Sequence, residues 1–384
     1  MTRPATILPG ATIGVLGGGQ LGRMFALSAA HMGYNVVAYT PEPNSPVSQV
    51  CGKTIVGSFD DTESLKKFAS QVAVTTIEFE NIPSAALEAI QAITPVRPGP
   101  HVLHTTQNRL REKEWLSKHK LPLVQFQAVD SMESLREAIK AIGVPAVLKT
   151  AGFGYDGKGQ QVIRSAEQAE QAFASFGDQP AVLEKFVEFD KEISVIGARS
   201  ISGDFVAYGP IENQHHNHIL DLSFAPARVN WTLAEEAIDL TRSIMEKLDV
   251  VGLLCVEFFL LPDEVLMINE LAPRPHNSGH YTIEGCPTSQ FEQQVRTITG
   301  LPLGATETDK GVAMANLLGD LWHDGEPQWA SAIALPEVHL HLYGKAEARP
   351  GRKMGHLTAC AKWADEAVTR VKNARELLTK VKTH

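Results

Sequence analysis

Cysteine is scarce in this chain. Cys51, Cys255, Cys286 and Cys360 are scattered through 384 residues, with no C-x-x-C pair. That excludes a disulfide framework and reads as reduced thiols in a cytoplasmic protein. No apolar run is long enough to span a bilayer and no charged-then-apolar leader opens the sequence, so no membrane partner is expected. Positive charge is not in excess: 35 Lys and Arg against 44 Asp and Glu leave a formal net charge of −9. A nucleic-acid partner, which needs a basic face, is therefore not expected either. Internal repeats and low-complexity tracts are also missing. What remains is an ordinary globular composition, 43% hydrophobic and 21% charged, at a length that predicts two or three domains with ample core.

Residues 12 to 108 alternate apolar strands with helically spaced segments: strands at Thr12 to Leu16, Asn35 to Tyr39, Ile55 to Val56 and Val74 to Glu78, helices at Gln20 to Met32, near Thr62 to Ala73 and near Ser84 to Ala92. This alternation predicts a parallel sheet covered on both faces. The stretch Pro95 to Pro100 reads as a boundary, followed by one helix from Thr106 to Lys118. Residues 123 to 260 mix short strands and helices, an α+β layer suited to clamping a ligand. A small final unit begins near Gly304, with a strand from Val338 to Tyr343 and a helix from Asp365 onward.

The densest chemical signal follows the strand Ala146 to Leu148. That strand ends in Lys149 and leads into Gly152-Phe153-Gly154-Tyr155-Asp156-Gly157-Lys158-Gly159-Gln160. Backbone N–H groups free of side-chain bulk, with two ammonium groups, make a site for a polyphosphate. The run nearly matches G-x-x-x-x-G-K-[ST], but Gly159 stands where a magnesium-binding hydroxyl belongs, and Gln160 to Arg164 reads as a strand where a P-loop has a helix. The expectation is a flap between two strands that closes over phosphates. The plainer alternative is a hairpin turn.

Gly17-Gly18-Gly19-Gln20-Leu21-Gly22 fits G-x-G-x-x-G between a strand and a helix. The acidic residue expected at the end of the second strand is missing, since Thr40 sits there, so NAD is disfavoured. The helix N-terminus is left to hold a phosphate or another anion, or to be a tight turn with no ligand.

Gly252 to Leu261 and Val265 to Glu270 are apolar strands around Pro262-Asp263-Glu264. A two-residue turn at Asp263-Glu264 sets Glu270 opposite Glu257, on one face of a hairpin. Two like charges there need a cation between them, and hard oxygen ligands suit Mg²⁺ held jointly with substrate phosphates. The strand Ala181 to Val187 offers exposed backbone to an adenine edge, with Phe186 near the base and Glu192 within reach of a ribose. Of the histidines in Gln214-His215-His216-Asn217-His218, His215 is expected to face the nucleotide; the spacing fits no tetrahedral zinc site. Asn269 to His280 is rich in donors, and Arg274 is placed to fork onto a carboxylate or phosphate. Lys345, Arg349, Arg352, Lys353 and His356 crowd one Gly- and Pro-shaped loop, five potential cations for a phosphate-bearing substrate.

Assembled in this order, the chain resembles the ATP-grasp ligases, and among them the 5-(carboxyamino)imidazole ribonucleotide synthetases of microbial purine synthesis. The resemblance runs over essentially the whole chain. It rests on Gly17 to Met24, Glu78-Phe79-Glu80-Asn81, Gln107 to Lys113, the flap Gly152 to Gln160, Asn269 to His280 and Arg349 to His356. Two positions depart from the family pattern: Thr40 replaces a usual aspartate and Ile77 a usual aromatic. The resemblance implies a mixed α/β and α+β architecture. Residues 1–108 would be a Rossmann-like, pre-ATP-grasp domain. Residues 109–302 would be the ATP-grasp clamp, with a flap subdomain at about 123–190, and 303–384 a small C-terminal domain.

For ATP the resemblance implies Arg109, Lys149, the flap residues Gly154, Tyr155, Asp156, Gly157, Lys158, Gly159 and Gln160, the hinge Glu184, Lys185, Phe186 and Val187, then Glu192, His215, Asn269 and Glu270. For Mg²⁺ it implies Glu257 and Glu270. For 5-aminoimidazole ribonucleotide it implies Gln20, Leu21, Glu78, Asn81, Tyr155, Asp156, Arg349, Arg352 and Lys353. Arg274, His276, Asn277 and Lys353 are the expected catalytic group, with Arg274 and either His276 or Asn277 on bicarbonate. The implied reaction makes carboxyphosphate from ATP and bicarbonate and passes its carboxyl to the ribonucleotide amine, in a cytoplasmic homodimer. A formate-using glycinamide ribonucleotide transformylase is the nearest alternative. A nicotinamide oxidoreductase and a non-catalytic nucleotide-binding module stand further off.

Overall fold

Three sheets organise the computed structural model, which describes residues 6–152, 159–177 and 179–379. The first is parallel. Strands β1 (Thr12–Leu16), β2 (Asn35–Thr40), β3 (Lys53–Val56) and β4 (Thr75–Ile77) lie in the order β3-β2-β1-β4. The two middle strands are apolar along their length because both faces are covered. The helix Gln20–His31 buries Leu21, Met24, Phe25 and Ala29 on one side, against Val295 and Ile298 of the helix Gln290–Thr299. The helices Thr62–Ala69 and Ser84–Gln91 bury Leu65, Phe68, Leu87 and Ile90 on the other.

The single helix expected from Thr106 to Lys118 is two. One spans Pro100–Thr106, with proline at the first turn, where no N–H is needed. The second spans Arg109–Lys118. The break comes at Asn108, whose side chain accepts the Arg111 N–H at 3.1 Å and caps the new helix. Arg109 is thereby placed at a helix start, beside the strand that leads to the flap.

The second sheet is antiparallel: β5 (Phe126–Val129), β6 (Ala146–Thr150), β7 (Gln160–Ile163) and β8 (Ala181–Lys185), in the order β5-β8-β6-β7. The helices Met132–Ile142 and Ala166–Ser175, capped by Ser131 and Ser165, cover one face. β6 and β7 pair antiparallel, Lys149 opposite Gln160, so the glycine-rich segment joins two strands and is not a P-loop. Phe153 and the flap positions Gly154, Tyr155, Asp156, Gly157 and Lys158 lie outside the described residues.

The third sheet has eight strands: β9 (Lys191–Arg199), β10 (Phe205–His216), β11 (Ile219–Ala225), β12 (Gly252–Leu260), β13 (Leu266–Ala272), β14 (Gly311–Leu318), β15 (Val338–Leu342) and β16 (Lys353–Ala361). They run in the order β13-β12-β9-β10-β11-β14-β16-β15. The last three strands extend this central sheet through the β11–β14 ladder. The helix Trp231–Lys247 packs on the β9–β12 end and the helix Ala364–Leu377 on the β14–β16 end. No helix among the described residues is long and apolar enough to cross a membrane.

A buried ion triad ties the small sheet to the interdomain helix. Glu184 on β8 meets Lys113 of the helix Arg109–Lys118 at 3.2 Å and Lys149 of β6 at 2.9 Å. Burial alone would raise the Glu184 carboxyl, but Lys149 and Lys113 outweigh it and hold it below the ordinary range. A carboxylate with a depressed native pKa stabilises the fold fully above its unfolded value of about 4.3, and that contribution disappears as pH falls through the native value. Glu184→Gln is therefore expected to lower the urea midpoint at neutral pH, by the roughly 3–5 kcal/mol that breaking a buried pair costs. The difference from the parent should shrink as the solution is acidified below the carboxylate range; a gap that persisted unchanged in acid would contradict this account.

Candidate active site

The hairpin of β12 and β13 carries the two glutamates, and it reaches the expected pairing by an unexpected route. The turn is one residue longer than anticipated. Leu261 N–H donates to Val265 O and Glu264 N–H to Leu261 O, both at 3.0 Å, with Glu264 in the left-handed region at φ 61°. This sets Leu260 opposite Leu266 and Phe258 opposite Ile268, a register that on its own would face Glu257 with Asn269. The ladder then shifts at Asn269, an extra residue on β13, and Glu257 pairs with Glu270 after all. The two offsets cancel, and the bulge is what aims Glu270.

β13 is an edge strand, and its outer backbone is held by side chain and loop. Leu271 N–H donates to the Glu112 carboxylate at 3.1 Å and Ile268 N–H to Pro122 O at 2.8 Å. Glu112 is fully buried; that burial, and then the charge of Glu270, push its carboxyl well above the usual range. The paired glutamates are unequal. Burial would raise Glu257, but the hydrogen bond that His276 Nε2 donates to its Oε1 at 3.1 Å, with the charges of His215 and Lys353, holds its carboxyl below the usual range. Glu270 is exposed, though protein crowds its carboxyl. This desolvation, opposed by Arg109 and reinforced by Glu257, leaves its carboxyl above the usual range.

Around the pair the structure gathers several of the residues singled out from the sequence. Arg109 is fixed by its N–H to Ala151 O at 2.7 Å and its Nη1 to Thr150 O at 2.9 Å, and its charge reaches Glu270 together with that of Lys149. His215 Nδ1 lies 3.0 Å from Glu192 Oε2. That carboxylate outweighs the effect of burial and raises the imidazole pKa. Arg274 is gripped by Glu80 at 2.7 Å. Asn277 is buried beside His276, and among the described residues neither polar atom of its amide has a protein partner. In the hinge, Lys185 N–H goes to Gln125 O and Phe186 N–H to Pro145 O, with Phe186 and Val187 half-buried after the strand has ended.

The glycine turn at Gly17–Gly22 is occupied by the chain itself. Gly19 N–H donates to Glu78 Oε1 at 2.7 Å and Gly22 N–H to Oε2 at 3.1 Å, so a carboxylate already fills the anion site at the helix N-terminus. A Cβ on Gly18 would lie 2.6 Å from Thr40 Oγ1, and one on Gly19 2.8 Å from the Glu78 carboxylate. The glycines admit Glu78 and Thr40, and the nicotinamide reading loses its pyrophosphate site. Gln20 is half-buried at the helix start, Leu21 is in the core and Asn81 is exposed.

The cationic loop holds fewer cations than its sequence suggests. His356 is buried, stacked on His341 with centroids 4.4 Å apart and joined to Tyr343 Oη at 2.9 Å. Burial pushes its imidazole well below the usual range, so it is neutral and not a fifth charge. Arg349 pairs with Glu347, Arg352 Nη1 donates to Glu347 O at 2.9 Å, and Lys345 Nζ donates to Lys353 O at 2.7 Å. Sequence reasoning passed over Glu80, Glu112 and Lys113 although each stands inside a quoted motif; only their burial and partners reveal their part.

The comparisons with known proteins agree along the chain. Three family models match in succession: the ribonucleotide synthetase preATP-grasp domain at residues 10–107, the ATP-grasp domain at 114–291 and the phosphoribosylaminoimidazole carboxylase C-terminal domain at 312–370. The N5-carboxyaminoimidazole ribonucleotide synthase of Bacillus subtilis is 43% identical over 369 residues, 96% of either chain. The chain belongs to the N5-carboxyaminoimidazole ribonucleotide synthase family. A synthetase of this family solved as its ADP complex, 43% identical, matches with a TM-score of 0.90 over 98% of both chains. The Aspergillus clavatus synthase in complex with ADP and 5-aminoimidazole ribonucleotide, 32% identical, matches with a TM-score of 0.87 over 97% of this chain and 99% of that one. The synthase fold therefore accounts for all three sheets.

The donor set also suits the metal implied for ATP-grasp ligases. Among the described residues no three His, Cys, Asp or Glu side chains form a cage of their own. Two facing carboxylates, one strongly acidic, are what Mg²⁺ uses when phosphates and water complete its shell.

Proposed function

We propose that this chain carboxylates 5-aminoimidazole ribonucleotide with bicarbonate at the expense of ATP, giving N5-carboxyaminoimidazole ribonucleotide, ADP and phosphate. The observation that carries this is the Glu257–Glu270 pair, whose carboxylates feel Arg109, Lys149, His276 and Lys353 with Arg274 nearby, in a chain that matches 96% of the Bacillus subtilis synthase. Arg109, Lys149, the hinge 184–187, Glu192, His215 and Asn269 are assigned to ATP, with the flap 154–160. Glu257 and Glu270 would hold Mg²⁺, which when bound offsets the negative charge of the triphosphate. Gln20, Leu21, Glu78, Asn81, Tyr155, Asp156, Arg349, Arg352 and Lys353 are assigned to the ribonucleotide. Leu21 can act only through its backbone, its side chain being in the core, and the Glu78 carboxylate is already engaged by Gly19 and Gly22.

Bicarbonate is a poor electrophile because its charge is delocalised. Its oxygen attacks the γ-phosphorus, the bond to the ADP oxygen breaks, and carboxyphosphate forms. Such a transfer is mostly positioning and charge neutralisation. Arg274, aligned by Glu80, and His276, aligned by Glu257, hold the bicarbonate oxygens. The exocyclic amine of the ribonucleotide then takes the carboxyl carbon, directly or as CO₂ released from the anhydride; phosphate leaves and the nitrogen gives up a proton. Carboxyphosphate hydrolyses quickly in water, which gives the flap its purpose. Division into domains at 1–108, 109–302 and 303–384, a cytoplasmic location and a homodimer belong to the same reading.

ADP release in the presence of bicarbonate and 5-aminoimidazole ribonucleotide, with each omitted in turn, tests the reading. Both should be required; ADP release that needed formate and glycinamide ribonucleotide instead would assign the chain to transformylation. Glu270→Gln is expected to slow turnover roughly a hundred- to a thousandfold, the equivalent of the several kcal/mol a bound cation supplies, with circular dichroism unchanged. Near-normal turnover would remove the metal role. Lys353→Ala should raise KM for the ribonucleotide about tenfold, as expected for one lost charge-assisted hydrogen bond, and leave KM for ATP in place.

A further inference from the structure

His276 is held from behind by a row of polar side chains that the reaction does not touch. Its Nδ1 receives the Ser278 backbone N–H at 3.3 Å and lies 2.8 Å from Ser278 Oγ. Ser278 Oγ is 2.9 Å from Ser194 Oγ, Asn213 Nδ2 is 2.9 Å from Ser194 Oγ, and Ser223 Oγ is 2.8 Å from Asn213 Oδ1. Ser194, Ser223 and Ser278 are fully buried and Asn213 is 6% exposed. The row runs across the central sheet: Ser194 sits on β9 directly opposite Glu257, and Ser223 on β11 directly opposite Asn213 on β10. The His276 backbone is clamped separately, its N–H to Gln290 Oε1 at 2.9 Å and its carbonyl to Gln290 Nε2 at 2.8 Å.

One group in this row cannot reverse its role. A backbone N–H only donates, so Nδ1 of His276 must accept, and the ring proton of the neutral imidazole sits on Nε2, facing Glu257 at 3.1 Å. With Nδ1 an acceptor, the Ser278 hydroxyl donates to it. Ser278 then has only lone pairs left for Ser194, so Ser194 donates. Ser194 in turn accepts, which requires the amide nitrogen of Asn213 to face it and the amide oxygen to face Ser223. Turning the Asn213 amide over would make Ser194 donate to it and leave Ser278 with one proton for two acceptors. Every contact is satisfied in a single sense: Ser223 to Asn213, to Ser194, to Ser278, to His276, to Glu257.

Resting on the reading that His276 holds bicarbonate, we propose that Ser278, Ser194, Asn213 and Ser223 are positioning residues that lock His276 as the Nε2–H tautomer. The locked ring presents its one N–H, and never a lone pair, on the side of Glu257, to be shared with or passed to a bicarbonate oxygen that binds beside that carboxylate. A lone pair there would repel bicarbonate and the carboxylate alike. Four buried polar groups are costly unless all are satisfied, and apolar side chains of similar size would pack at lower cost. Apolar replacements would leave the choice between the two nitrogens of the ring to the Glu257 carboxylate and the long 3.3 Å contact from the Ser278 backbone N–H alone.

The test is long-range ¹⁵N–¹H correlation on histidine-labelled, ligand-free protein, with the His276 signals assigned by their loss in His276→Gln. The parent should show one protonated Nε2 and one unprotonated, hydrogen-bonded Nδ1 at this residue. Ser278→Ala should move the two nitrogen resonances toward each other as the tautomers mix, and lower kcat by about 10–100-fold with KM for ATP and ribonucleotide little changed, the scale seen when a partner behind an active-site group is lost. Ser223→Ala, at the far end, should act in the same direction more weakly, and it guards against a Ser278 variant that fails to fold. A protonated Nδ1 in the parent, or a Ser278→Ala protein with an unmoved nitrogen pattern, would overturn the proposal. The spectrum is read without substrate, so it decides the tautomer whichever substrates release ADP, and a failed tautomer leaves the substrate assay untouched.

Discussion

Two carboxylates that would separate if free are held face to face, and much of the central sheet is arranged around that conflict. Glu257 and Glu270 share one cross-strand position on a hairpin whose outer strand, among the described residues, meets only a single bridge at Leu123 on its far side. An edge strand is the easiest part of a sheet to displace, and like charges directly opposite push it in that direction. The countermeasures are local and specific. Glu112 takes the Leu271 N–H just past Glu270, and the Pro122 carbonyl takes that of Ile268 just before it. His276 donates to Glu257 while Arg109 and Lys149 temper Glu270. The pair is thus kept close but unequal: the Glu257 carboxyl is held below the usual range and that of Glu270 above it.

The glycine turn of the first sheet illustrates the opposite economy. Its backbone has the geometry that dinucleotide enzymes use for pyrophosphate, yet the N–H groups of Gly19 and Gly22 close on Glu78, 59 and 56 residues away. Backbone shape sets where an anion can sit; which anion arrives is decided by the strand end next door. The same strand end supplies Glu80 to Arg274 across the domain junction. Glu78 therefore secures the first domain internally and Glu80 fastens it to Arg274, so the order of these two acids couples the glycine turn to the segment after β13.

Local signals in the sequence were readable where they depended on neighbours a few residues away. The strand–helix alternation of the first domain and the glycine-rich segment as a link between two strands follow from short-range spacing. The failures share a cause. The helix across Thr106 to Lys118 broke because the side chain of Asn108 prefers capping to continuing, a choice its hydrophobic pattern does not display. The turn at Pro262–Glu264 took an extra residue, and only the compensating bulge at Asn269 preserved the pairing; neither leaves a mark in an apolar run. His356 looked like a cation because it is surrounded by lysine and arginine in the chain, whereas in space it lies beneath Tyr343 and against His280 and His341. Glu112, Lys113 and Glu80 were invisible because a charge declares its burial only through its partners.

The two faces of the cleft differ in how they tolerate change, and the difference follows from their materials. On the hairpin side, position is set by backbone register, so a substitution alters the chemistry of a group and leaves its place intact. On the His276 side, position is set by a file of hydroxyls and one amide, each of which is satisfied only if its neighbour points the right way. Register is robust because shifting it would turn a whole strand inside out. A hydrogen-bonded file has no such protection: one reversed donor propagates to the end. The catalytic group is therefore anchored firmly where charge must be borne and adjusted finely where a single proton must be aimed. The fine adjustment crosses β9, β10 and β11, strands that carry neither Glu257 nor Glu270.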